Sequence, residues 1–204
     1  MENIAPTKAN LISAESSLDF SEKGFELLDK KRNVLIREIM SYVEMSKKLG
    51  EEINVTFNEA YEALKNANIT MGIQVVDQIA LTIPEAKDYN IIFKSVMGVE
   101  VPHIQFEKQD INHNYSFYKT NTAMDIAYEK FNKVRYLIYE LAEVENAVYI
   151  LSMEVKKTQK RANALQNIQI PRFKELIKNI DEVLEEKERE DFFRLKVVKK
   201  KKHR

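Results

Sequence analysis

The chain has 204 residues, 31% of them charged, and its 32 Asp and Glu are offset by 32 Lys and Arg to a formal net charge of zero. That balance excludes a uniformly basic nucleic-acid binder and an acidic disordered tail, and the lack of cysteine excludes a disulfide framework or a thiolate metal site. Four glycines and four prolines leave little turn chemistry for a fold of many short elements, whereas a 44% apolar share is ample for a packed interface.

At the N-terminus, "MENIAPTKANLI" has no basic segment followed by an apolar run, so it does not read as a secretory signal. No window approaches about 18 uncharged apolar residues, and no membrane-spanning segment is expected. Thr7 is the expected N-cap of a first helix, with Pro6 blocking extension upstream. From Leu11 to Ala67 an alternating three- and four-residue spacing defines seventeen positions, of which thirteen are apolar; Ser21, Arg32, Ser46 and Thr56 interrupt. A 3.5-residue repeat sustained over that length keeps one seam on a partner helix, the signature of a coiled coil. Residues 7–70 as one helix would extend roughly 95 Å at 1.5 Å per residue. Arg32 and Ser46 either snorkel and fill a small layer or fix the pairing register. Gly24 either permits close helix approach or is a tolerated weak spot.

The middle region, residues 71–117, has a different texture. "YNIIFKSVMGVEVPHIQFE" at 89–107 sets β-branched and aromatic residues around Met97-Gly98 and predicts two short strands with a turn at the glycine. Pro102 restricts the second strand to an edge or a bulge. Pro84 and "KDYN" bound this unit upstream, and "QDINHN" bounds it downstream.

The last region, residues 118–204, mirrors the first. From Ala123 to Leu165 the seam is apolar apart from Lys130 and Thr158. Past Pro171 the best series is Phe173, Ile177, Ile180 and Leu184, one position out of phase. A proline removes a backbone hydrogen bond and crowds the preceding turn, so Pro171 marks an expected bend at which the seam rotates while the helix continues. Glu26–Lys30, Glu44–Lys48, Glu129–Lys133, Glu185–Arg189 and Glu190–Arg194 mark solvated faces by their i,i+4 order. The fold class read from these patterns is mainly all-α, a long antiparallel two-helix coiled coil with a short β-hairpin in its middle region.

Active-site chemistry finds no support in the sequence. None of the three histidines, His103, His113 and His203, has a second ligand at metal spacing. The glycines at 24, 50, 72 and 98 are isolated, so no phosphate-cradling loop is present, and no cofactor is expected. The acids of "DEVLEEKERED" at 181–191 read as a solvated helix face. The tail "LKVVKKKKHR", with Lys199, Lys200, Lys201 and Lys202, has two readings: a solvated helix end favoured by the dipole, or a contact with an acidic partner, nucleic acid or a membrane surface.

Several stretches together resemble the D subunit of the rotary V-type (archaeal and bacterial A/V-type) ATPases. They are "APTKANL" at 5–11, "GFELLDKKRNVLI" at 24–36, "VMGVEVP" at 96–102, "LAEVENAVYILSMEVKKTQKRANALQNIQIP" at 141–171 and "LEEKEREDFFRLKVVK" at 184–199. The resemblance implies a non-catalytic rotor axle. It would transmit torque between a hexamer of catalytic A and B subunits, which both termini enter, and a funnel-shaped rotor subunit on the membrane ion-translocating ring. The small F subunit of the rotor would clamp it. No nucleic acid and no direct membrane insertion are implied, and the location would be cytoplasmic, peripheral to the membrane within a membrane-bound complex. Candidate contacts with partners are Lys156, Lys157, Lys160 and Arg161 before Pro171, Pro171 itself, Arg172 and Lys174 after it, and the four tail lysines. A generic coiled-coil adaptor or scaffold with a basic tail shares the heptads but has no need of motifs on both helices. Two such helices should give the monomer a radius of gyration far above the roughly 16–17 Å of a compact globule of this length. Small-angle scattering checks this, and a compact value refutes it.

Overall fold

In a computed structural model, which describes residues 5–83, 89–106, 115–116, 118 and 120–202, the chain is mainly helical with one hairpin, the class its sequence pattern predicts. The elements are α1 (Lys8–Met71), α2 (Ile73–Ala80), β1 (Tyr89–Val96), β2 (Val99–Phe106), α3 (Thr122–Ala164), a π-helical turn (Leu165–Gln169) and α4 (Ile170–Lys202). Thr7 opens α1: its Oγ1 accepts a bond from the Asn10 N–H at 3.3 Å, and its carbonyl accepts from the Leu11 N–H at 3.0 Å. Asn121 caps α3 in the same way, accepting from the Met124 N–H at 3.3 Å. All seventeen seam positions of α1 are buried or half-buried, so the spacing located the packed face. Two polar interruptions turn inward on their own helix. Ser21 Oγ donates to the Ser17 carbonyl at 2.7 Å, and Thr56 Oγ1 donates to the Glu52 carbonyl at 2.8 Å. Bonded in this way, a buried hydroxyl loses little on leaving water.

Two compact units make up the chain: Leu35–Glu154, and Met1–Val34 with Val155–Arg204. Within Leu35–Glu154, the second half of α1 runs antiparallel to α3. Lys130 pairs with Glu59 at 2.5 Å, Phe131 meets the Tyr61 ring edge-on at 5.7 Å, and Asn121 Nδ2 donates to Thr70 Oγ1 at 2.8 Å. Lys130, one of the two seam interruptions in this helix, thus finds a carboxylate across the interface. The buried layer comes from Leu35, Ile53, Ala60 and Ala67 of α1 and from Met124, Ala127, Val134, Leu137, Val144, Ala147 and Leu151 of α3. Gly72, at φ 86°, breaks the chain between α1 and α2. The short α2 then packs Val76 and Ile79 against Ala67, Met124 and Tyr115. The Tyr115 hydroxyl donates to Asp125 at 2.7 Å, and burial together with that bond pushes its pKa up, so it remains a donor.

The hairpin lies where β-branched residues flank Met97-Gly98. Both turn residues have positive φ, 51° at Met97 and 77° at Gly98, the signature of a type I′ turn. The register is unbroken from Tyr89 opposite Phe106 to Val96 opposite Val99. The hairpin docks on α3 through β2. Glu143 Oε1 pairs with His103 Nδ1 at 2.7 Å, while Oε2 accepts the Ile104 N–H at 2.9 Å. Beside this clasp, Phe106 stacks on Tyr136 with ring centroids 5.3 Å apart, and Tyr89 leans on Tyr139 at 5.3 Å. The expected strand boundaries at Pro84 and 109–114, with His113, lie outside the described residues, as does His203; Tyr89 and Asn90 of "KDYN" belong to β1 rather than to its border.

Met97 carries a cost, because the left-handed region disfavours residues with a Cβ by about 1–2 kcal/mol. Its side chain is 49% exposed and repays little by packing. Met97→Asn, which suits a type I′ turn, should stabilise the hairpin by about 0.5–1 kcal/mol. Slower amide exchange at Val96 and Lys94 is the readout, and faster exchange refutes it.

Candidate partner-binding surface

The unit formed by Met1–Val34 and Val155–Arg204 holds all the basic candidates. Here the first part of α1 runs antiparallel to the end of α3 and to α4. Arg32 Nη1 donates to Gln159 Oε1 at 2.8 Å across the interface, and Nη2 pairs with Asp29 at 2.6 Å. Further along, Lys174 pairs with Glu22 at 3.0 Å, and Lys187 Nζ reaches the Pro6 carbonyl at 3.5 Å. Arg32 is therefore a bridging residue on the seam. Gly24 lies against the side chain of Leu165: a Cβ placed on it would stand 3.6 Å from Leu165 Cδ1, an ordinary contact.

The phase shift read at Pro171 takes the physical form of a π turn. The π turn precedes the proline, and within it the Ile170 N–H bonds to the Leu165 carbonyl, five residues back. Such a turn holds one residue more than an α-turn, so every later side chain is displaced by one position around the axis. The seam passes through Thr158, Ala162, Leu165, Ile170, Phe173, Ile177, Ile180 and Leu184, each buried or half-buried. The extra residue faces outward: Ile168 is 62% exposed. Pro171, with no N–H to give to the carbonyl four residues back, sits just after the turn where that bond is already disrupted.

Lys156, Lys157, Lys160 and Arg161 lie just before this turn, and all four are exposed. Their spacing sets Lys156 above Lys160 and Lys157 above Arg161 on adjoining helical rows. Pro171 and Arg172 are exposed beyond it, and so is Lys174 despite its bond to Glu22. Lys199, Lys200, Lys201 and Lys202 form the exposed last turn of α4. Two of the expected i,i+4 pairs form on α4, Glu185–Arg189 at 2.9 Å and Glu190–Arg194 at 3.3 Å. Being solvated, they stabilise it little.

Sequence reasoning passed over the apolar residues between these charges. Since Lys187 lies level with Pro6, α4 continues past the start of α1, and every residue from 185 to 202 is exposed. Phe192, Phe193, Leu195, Val197 and Val198 stand on this stretch. At about 100° per residue they point all the way round the helix, not along one stripe. The signal in the sequence is the loss of the three–four spacing after Leu184 while large apolar residues persist.

Comparison with known proteins gives the family. A family model described as the D subunit of ATP synthase matches residues 10–200, which takes in the hairpin, the basic residues around Pro171 and the tail as far as Lys200. The chain belongs to the ATP synthase D-subunit family. It is 49% identical over 199 residues to the V-type ATP synthase D subunit of Thermotoga neapolitana, covering 98% of each chain. It is also 37% identical over 199 residues to the A-type ATP synthase D subunit of Thermococcus sibiricus, covering 96% of this chain and 93% of the relative. With the A-type ATP synthase D subunit of Methanobrevibacter smithii it shares 38% over 202 residues, 98% of this chain and 87% of the relative. Among the described residues no helix is long and apolar enough to cross a membrane, and no group of three or more His, Asp or Glu is arranged to hold a metal ion.

If the π turn exists to re-phase the seam, removing its extra residue should be harmless to packing. Without Ile168 the seam residues named above fall at a regular alternation of four and three. Deleting Ile168 together with Pro171→Ala should therefore give continuous α-helix, and stability should rise by up to about 3 kcal/mol, the usual cost of an interior proline. Thermal melting followed by circular dichroism checks this. A melting temperature well below that of the parent chain refutes the re-phasing account.

Proposed function

We propose that this chain is a non-catalytic central-stalk subunit of a rotary V/A-type ATP synthase, peripheral to the membrane on its cytoplasmic side. It would carry torque between a catalytic A/B hexamer and the rotor on the ion-translocating ring, through a funnel-shaped subunit, with the small F subunit bound alongside. One observation supports the A/B contact most directly: the stretch of α4 beyond Lys187 outruns α1 and carries exposed Phe192, Phe193, Leu195, Val197 and Val198 on all its sides, between its charges. Large apolar side chains left in water on every side of a helix gain from being covered on every side, as they are when the helix enters a socket. At 1.5 Å per residue, residues 188–202 would reach roughly 22 Å into such a socket. The tail lysines at its end and the Lys156–Arg161 cluster suit acidic loops at the rim, where charge sets register and rate of association more than affinity.

The mechanism follows from symmetry. A stator with three equivalent catalytic interfaces encloses an axle with no three-fold axis, so at any instant the three cannot be identical. Turning the axle by a third re-assigns which interface is favoured to bind, hold or release nucleotide, and differential affinity supplies the coupling. The adaptor reading shares the helices but not the family.

The test is assembly with the A and B subunits. The full chain should co-purify with the hexamer, and a chain ending at Lys187 should remain folded but bind at least about tenfold more weakly, a loss of about 1.4 kcal/mol or more. If the full chain does not bind the hexamer, the proposal fails. If the shortened chain binds and couples as well as the full one, the enclosed-helix contact fails.

A further inference from the structure

The hairpin has two outer edges, and they differ. In a two-residue hairpin the pair that closes the turn, here Val96 and Val99, exchanges backbone hydrogen bonds, and the pairs alternate from there. Residues 94, 92 and 90 of β1 therefore bond to β2, while Ser95, Phe93, Ile91 and Tyr89 turn their N–H and C=O groups outward. On β2 the outward positions are Glu100, Pro102, Ile104 and Phe106. That edge is closed: Pro102 has no N–H, and the Ile104 N–H is taken by Glu143 at 2.9 Å.

Among the described residues the edge of β1 has no such closure. The sheet has only two strands, so among the described residues no strand pairs with this edge. Its eight residues contain neither proline nor bulge. Ile91 is 52% and Phe93 67% exposed on one face, with Ile92 at 37% on the other. A long, flat, apolar edge is what soluble proteins usually avoid, because it templates pairing with another chain. Outward backbone groups of this kind are satisfied by an extended segment and not by a helix.

We propose that β1 is a docking edge: an extended segment of a neighbouring subunit adds to the hairpin as a third strand beside β1. It pairs with the backbone groups of Ile91, Phe93 and Ser95. Apolar side chains at alternate positions of that segment cover Ile91 and Phe93. The charge on β1 narrows the choice further. Lys94 is exposed and is the strand's one ionised residue, so the segment carries an Asp or Glu across from it. Met97, half-exposed at the tip in a costly conformation, extends the apolar surface to the end of the hairpin. This inference rests on the reading of the chain as a subunit of a larger complex.

Residue-resolved amide exchange on the free chain and on the purified assembled complex tests it. The inward amides of Asn90, Ile92 and Lys94 should be protected in both. Those of Ile91, Phe93 and Ser95 should exchange fast in the free chain and slow by about tenfold or more in the complex. Phe93→Pro removes an outward donor that the hairpin itself does not use. It should leave the melting of the free chain near that of Phe93→Ala, yet abolish the protection of Ile91 and Ser95 in the complex. If the chain is incorporated and its outward amides exchange as fast as before, the strand-docking proposal is overturned while the functional reading stands. If the chain never enters a complex, both fall. Protection that appears in the free chain and grows with its concentration means pairing between two copies, and overturns the choice of partner.

Discussion

Everything in this chain depends on keeping an apolar stripe turned toward a neighbouring helix over many turns. An α-helix has 3.6 residues per turn and the seam repeats every 3.5, so the match holds only while the spacing is kept. A single added residue would carry the stripe about 100° away from its partner. Near residue 168 the chain has that one residue too many, and the π turn absorbs it. Pro171 then has a clear place in the fold: its missing donor falls where the regular ladder is already interrupted, so one local defect serves instead of two.

The same constraint explains the polar residues on the seam. Ser21, Thr56, Arg32 and Lys130 each have a partner suited to the length of the side chain. The short hydroxyls of Ser21 and Thr56 bond back to carbonyls one turn earlier, and the long Arg32 reaches across to Gln159 while holding Asp29. Lys130 crosses to Glu59, and the partnership raises the pKa of the lysine and lowers that of the glutamate through their hydrogen bond and charge attraction. Cross-helix pairs of this sort oppose a sliding of one helix along the other, because a shift of one turn would separate both partners. A coupling element that carries torque needs fixed register of this kind.

Outside the seam the surfaces fall into two kinds. The Lys156–Arg161 cluster and the tail lysines are solvated charge, suited to steering and alignment. The end of α4 and the outer edge of β1 are apolar or hydrogen-bonding surface left in water, and both belong to a chain whose family is defined by membership of a complex. The hairpin can present an edge because Glu143 holds its other edge to α3, with two oxygens engaged by two neighbouring residues of β2.

The sequence by itself determined the two long helical regions, the packed face of each, the N-cap at Thr7, the turn at Met97-Gly98 and the one-residue phase error near Pro171. These depend on local spacing and local backbone preference, which a linear pattern records directly. The motif blocks also carried the family. Four things came only from the tertiary structure: that the phase error is absorbed in a π turn, that α2 folds over the end of its unit, that His103 is bound to Glu143, and that α4 outruns α1. The His103–Glu143 pair spans forty residues of sequence. Nothing in either segment alone distinguishes a docked histidine from a solvated one, since that depends on which surface the hairpin meets. The length of α4 left unpaired likewise depends on where the opposing helix begins, a relation between two distant segments that no periodicity within one of them contains.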